Sequence, residues 1–189
     1  AVIGNCGHGP APAPDSDLAK QVTIGVNKNW GIDFDWNTFD QYLDALMVVG
    51  QSINIAPLVG HGPIRIAVMG FEARQATASE IDSMCSLVEA AMSAGALGIS
   101  TGLEYSPGRH AAENELIQLA KVVGKHGGIY SSHIRERGDN FLEAVNEAIT
   151  ISKQGELPAQ LSHLAPRPYA APEIFDRVLE SISEYRNEG

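Results

Sequence analysis

From Gly50 onward two hydrophobic periods take turns along the chain. The runs "SINIAPLVG" (52–60) and "IRIAVMG" (64–70) are rich in β-branched residues and read as strands. "SEIDSMCSLVEAAMSAG" (79–95) instead places Ile81, Met84, Cys85, Val88 and Met92 on one helical face. Three further strand–helix pairs follow: "GALGIST" (95–101) with a helix over about 112–125, "GGIYSSH" (127–133) with one over about 140–153, and "LPAQLSH" (157–163) with one over about 172–185. These three strands are apolar throughout rather than alternating, the pattern of parallel strands covered on both faces. Their starts lie about thirty residues apart, the length of a βα unit. Upstream, "VIGNC" (2–6) reads as a strand, "PAPAP" (10–14) as a stiff loop, and 37–49 as a helix opening on Asn37 or Thr38 as N-cap.

No low-complexity segment or linker divides the 189 residues, so one domain over 1–189 is expected. The fold class is α/β with a parallel sheet. About five parallel-type strands, with "IRIAVMG" as a sixth, fall short of a complete (β/α)₈ barrel, which needs roughly 250 residues. The expectation is therefore a small open sheet or a partial TIM barrel.

A net charge of −10 and the lack of any basic run exclude a phosphate-reading surface, so no nucleic-acid partner is expected. No apolar stretch approaches the ~20 residues a membrane span needs. Cys6 and Cys85 are too few for a disulfide framework, which points to a cytoplasmic setting.

Candidate chemistry sits at the strand ends. In parallel α/β folds, ligands and catalytic groups gather at the carboxyl ends of the strands. His133 and His163 occupy such ends in successive units, each preceded by serine, and Cys6 ends the apolar run "VIGNC" between glycines. Three ligands of this kind can hold zinc and leave a fourth position open. Cys85 lies on an apolar helix face and reads as a small buried hydrophobe. His126 suits a helix C-terminus. His8, His61 and His110 fall in loops, and His61, following a strand in "GHG", is the one most expected to face the site.

At these residues the chain resembles the D-aminoacylases, the N-acyl-D-amino-acid deacylases of the amidohydrolase superfamily. The resemblance is carried by "GNCG" and "PAP" within 4–12, "LVGHGPIR" (58–65), "VMG" and "EAR" within 68–74, "GALGISTGLEYSPG" (95–108), "GGIYSSHIRERG" (127–138) and "SHL" (162–164), in that order. It implies a zinc-dependent hydrolase of N-acyl-D-amino acids on a (β/α)₈ barrel, with zinc held by Cys6, His133 and His163. It further implies that Tyr105, in the "GLEY" motif, helps bind the substrate carboxylate. Arg135, two residues past a ligand histidine, is a candidate partner for the same carboxylate or for a surface salt bridge with Glu136 or Asp139.

The chain also departs from the family pattern. The family's His-x-His pair and its catalytic aspartate have no counterpart here, the aspartate being expected beyond Gly189, so the chain is expected to cover roughly the second to sixth βα units. Such an internal stretch is expected to bind zinc weakly or not at all and to have little or no deacylase activity, and its strand edges invite self-association. A lysine common after the second Ser-His is replaced by Ala165, with Arg167 as its candidate substitute. Two alternatives stand beside the deacylase: a cyclic-amide hydrolase of the same superfamily, whose substrates need no lysine-held carboxylate, and a non-catalytic α/β scaffold that associates through its inner face.

Overall fold

The computed structural model describes residues 1–13 and 35–187; Pro14, the end of the proline-rich loop, lies outside them. The strands β1 (Val2–Ile3), β2 (Ala56–Gly60), β3 (Gly98–Gly102), β4 (Ile129–His133) and β5 (Ala159–Leu161) form one sheet in chain order, with every neighbouring pair parallel. The described helices are α1 (Phe39–Val49), α2 (His61–Met69), α3 (Ala78–Ala94), α4 (Glu113–Lys125), α5 (Phe141–Gly155) and α6 (Pro172–Asn187). From β2 onward, each strand is followed by at least one helix, and the sheet curls into the half-barrel of a partial TIM barrel.

Local sequence explains most element boundaries. Thr38 caps α1, and the Gln41 side chain accepts the Thr38 N–H at 3.2 Å. Thr77 caps α3 in a capping box with Glu80, whose carboxylate accepts the Thr77 N–H at 2.7 Å. Gly95 ends α3 in the left-handed conformation that costs glycine little. Ile81, Met84, Val88, Ala91 and Met92 of α3 are buried, and Cys85 is half-buried on the same side. His126 follows α4 as its C-cap and pairs with Glu89 at 2.7 Å.

The run "IRIAVMG" is a helix, α2, and not a strand. Its residues His61, Pro63, Ile64, Arg65, Ile66 and Met69 are all buried, so neither period shows clearly in the sequence. Pro63 falls in the first turn, where its missing N–H costs no intrahelical bond. The strand count is therefore five among the described residues.

The core is continuous from α2 to α6. Successive helices α3, α4, α5 and α6 pack side by side, and Leu116, Leu119, Val123, Val145, Ile151 and Val178 are among the side chains they bury. Strands β3 and β4 are almost wholly buried, whereas β5 at the sheet edge is largely exposed. Backbone crowding fixes the spacing of β3 and β4. A Cβ at Gly98 would collide with the Ile129 carbonyl, so only glycine lets the two strands approach as they do.

Candidate metal centre

Side-chain alternation along β3 and β4 decides what faces the site. Ser100 is in register with Ser131, and Gly102 with His133. Residues two apart share a face, so Ser131 and His133 point the same way. On the opposite face Thr101, Tyr130 and Ser132 bond one another: the Thr101 hydroxyl lies 2.9 Å from that of Tyr130 and donates to Ser132 Oγ at 3.0 Å.

The loop after β1 lies across this face and is tied down by its serines. Ser100 Oγ donates to the Gly4 carbonyl and accepts the Gly7 N–H at 3.0 Å. Ser131 Oγ donates to Asn5 Oδ1 at 2.9 Å. Gly7, at φ 71°, has no room for a side chain against Gly102, and Cys6 itself is left-handed at φ 60°. The loop is thus bound at residues 4, 5 and 7, with Cys6 between.

The structure brings Cys6, His133 and His163 together, each offering one ligand atom, with all three atoms within 4.8 Å of one another. Cys6 Sγ is 3.4 Å from His163 Nε2, and the rings of His133 and His163 meet edge to face with centroids 4.3 Å apart. His133 is the last residue of β4, while His163 lies two residues past β5, turned by a left-handed backbone at φ 35°. Burial raises the Cys6 thiol pKa, an effect opposed by the nearby Arg137 guanidinium. Burial lowers the His133 pKa, partly offset by its bond to Glu104, which favours the neutral imidazole a metal requires. One thiol and two imidazoles at this separation are the donor set of a zinc site with an open position, so the residues fit the ion.

Around the three donors lie groups the sequence analysis did not single out. Glu104, two residues after β3, accepts from His133 Nε2 at 2.7 Å, from Arg137 Nη2 at 3.0 Å and from Arg167 Nη2. Burial pushes its carboxyl up, but the bonds from His133, Arg167 and Arg137 outweigh this and bring its pKa down to about 2. The usable signal was position: Glu104 and Arg137, like Arg167, are charged residues just past strand ends, where active-site loops begin.

The other candidates are placed as follows. Tyr105 donates its hydroxyl to the Cys6 carbonyl, stacks on His8 at 5.1 Å and meets His133 edge-on at 5.1 Å. Burial, with Cys6 and Glu104 nearby, pushes its pKa up to about 12, so the phenol keeps its proton at neutral pH. Arg135 is occupied within the protein: Nε and Nη2 bind Glu147 at 2.9 and 2.8 Å, and the guanidinium also donates to the Arg109 and Ala111 carbonyls. The acidic partner is thus Glu147 of α5, and not the sequence neighbours Glu136 or Asp139. His61 does not face the site. It is fully buried, with Nε2 2.7 Å from Glu115, which also pairs with Arg65 at 2.6 Å. His110 ends a 3₁₀ turn at Gly108–His110.

No family model matches the chain. A D-aminoacylase of Alcaligenes xylosoxydans xylosoxydans is 36% identical over 162 residues, 86% of this chain and 33% of the relative. An N-acyl-D-glutamate deacylase of the same organism is 37% identical over 164 residues, covering 86% of this chain and 32% of the relative. The solved structure of an N-acyl-D-glutamate deacylase from Bordetella bronchiseptica, complexed with zinc and a phosphonate inhibitor that mimics the tetrahedral intermediate, superposes with a TM-score of 0.86 at 33% identity, covering 100% of this chain and 39% of that one. The chain spans about a third of the length of these curated relatives. With a half-barrel that superposes on theirs and 36–37% identity over 86% of its length, the chain is homologous to about a third of the D-aminoacylases and N-acyl-D-amino-acid deacylases, which are amidohydrolases.

Proposed function

We propose that this chain carries a zinc site and part of the substrate pocket of an enzyme that hydrolyses the amide bond of N-acyl-D-amino acids. The convergence of Cys6, His133 and His163 supports this most directly, since three metal-ligating side chains from three separate βα units meet at one point. Cys6, His133 and His163 would hold the zinc, which would supply Lewis-acid polarisation of an amide carbonyl and a water of lowered pKa, towards about 7. The chain gathers all three donors from its own residues, which supports zinc uptake by residues 1–189.

The remaining groups suit recognition of a carboxylate. Arg137 and Arg167 converge on Glu104 beside the three donors. Two guanidiniums side by side suit the α-carboxylate of an N-acyl amino acid. Each guanidinium keeps further N–H groups, and Arg137 Nε is buried without a partner. Arg167 thereby supplies the cation that Ala165 cannot, which favours an acyclic carboxylate-bearing substrate over a cyclic amide. Tyr105 is still protonated at neutral pH, and its O–H, engaged by the Cys6 carbonyl, braces the Cys6 loop on the same side. The thiol at the centre fits a reducing compartment such as the cytoplasm.

The test is hydrolysis of N-acetyl-D-amino acids against their L-enantiomers by a zinc-loaded polypeptide containing this chain. Turnover of the D-series that is lost in His163→Ala, and a KM raised by about tenfold or more in Arg167→Ala, are expected. Hydrolysis that ignores the configuration, or that survives loss of His163, would contradict the reading.

A further inference from the structure

We propose that Glu104 is a positioning residue for His133, accepting the Nε2 proton so that Nδ1 carries the free lone pair, and that Arg137 and Arg167 hold the Glu104 carboxylate in place for this task. The inference rests on the zinc-site reading for its consequence in metal affinity, but not for its effect on the imidazole itself.

Neutral imidazole carries one proton on either nitrogen, and the hydrogen bond at one ring nitrogen decides which. Here Nε2 faces Glu104 Oε2 at 2.7 Å. Each oxygen of that carboxylate also receives a guanidinium: Arg137 on Oε2 at 3.0 Å and Arg167 on Oε1. A carboxylate in that position is ionised and only accepts, so Nε2 must carry the hydrogen. Nδ1 is then the unprotonated nitrogen, the form a metal ligand needs.

The arrangement is held from several sides. The Arg167 N–H donates to the Arg137 carbonyl at 2.7 Å, tying the loop after β5 to the loop after β4 and setting the spacing of the two guanidiniums. Tyr105 and His163 meet the His133 ring edge to face, at interplanar angles of 69° and 77°, which restricts its rotation. Glu104 stands two residues past β3, so three consecutive strand ends combine to fix one proton. Glu104 is the one carboxylate within ion-pair distance of either arginine among the described residues, with Glu136 acting on Arg167 from further off.

Long-range proton–nitrogen correlation spectra of the histidine-labelled, metal-free chain at neutral pH read the tautomer directly, with His133 assigned by its absence in His133→Gln. The wild type is expected to show His133 protonated at Nε2. Glu104→Ala is expected to lose this preference and give a mixture. Glu104→Gln, which keeps an acceptor oxygen, is expected to retain it in part and guards against a folding defect in the alanine variant. In competition with a chelator, Glu104→Ala is expected to bind zinc about 10–100-fold more weakly than wild type, with Glu104→Gln between them. An unchanged tautomer in both variants, or a proton on Nδ1 in the wild type, would overturn the proposal. Failure of every variant and the wild type to take up zinc would instead count against the metal centre, because the tautomer is read without metal.

Discussion

At the scale of single residues, the site depends as much on what is missing as on what is present. Gly102 lies under the Cys6 loop, where an added Cβ would collide with the Cys6 carbonyl and the Tyr105 hydroxyl. Gly102→Ala must therefore push the loop away from β3 and Cys6 away from the two histidines. The expected result is a loss of about 1–3 kcal/mol in stability, from forced overpacking, together with weakened zinc binding. Denaturant unfolding and metal titration of the variant check both. Zinc affinity equal to wild type would mean that the loop is placed by something other than this close approach.

At the scale of elements, the buried triad of His61, Arg65 and Glu115 joins α2 to α4, and Arg65 Nη2 further donates to the Arg74 carbonyl at 2.7 Å. Burial pushes the Glu115 carboxyl up, but the His61 bond and the Arg65 charge outweigh it and hold the pKa below the usual carboxylate range. A depressed folded pKa means stability present above the unfolded value, about 4.3, and lost as pH falls through that range towards the folded value. Glu115→Gln leaves Arg65 buried without its counter-charge and is expected to cost about 3–5 kcal/mol at pH 7, with the gap to wild type narrowing below about pH 4. Urea unfolding across that range checks it, and a pH-independent gap would contradict it. The same triad shows where sequence reading stopped. The periods of α3, α4 and α5 were legible because each has one apolar face and one wet face. Helix α2 was not, because burial all round erases the period, and His61 pointed towards a site only because its acidic partner stands 54 positions away. The meeting of Cys6, His133 and His163 was legible because strand ends announce themselves in a βα repeat. Glu104 and Arg137 were not, since a charged loop residue looks the same in sequence whether it meets water or a histidine.

At the scale of the whole molecule, the sheet formed by the described residues ends at β1 and β5, and among those residues each edge strand has one strand neighbour. Met47, Val48, Val49 and Ile53 are also largely exposed near the amino-terminal end of β2. Unpaired edges and apolar exposure favour association. Light scattering of the 189-residue chain is therefore expected to show a mass that rises with concentration, and a constant monomer mass would contradict this. Among the described residues, no helix is long and apolar enough to cross a membrane. The central claim is that residues from three βα units of this one chain form a zinc site, and elemental analysis of the purified chain, with Cys6→Ala and His163→Ala alongside, tests it most directly. About one equivalent of zinc in the wild type, lost from both variants, is the expected result. Zinc absent from the wild type, or retained when Cys6 and His163 are replaced, would contradict it.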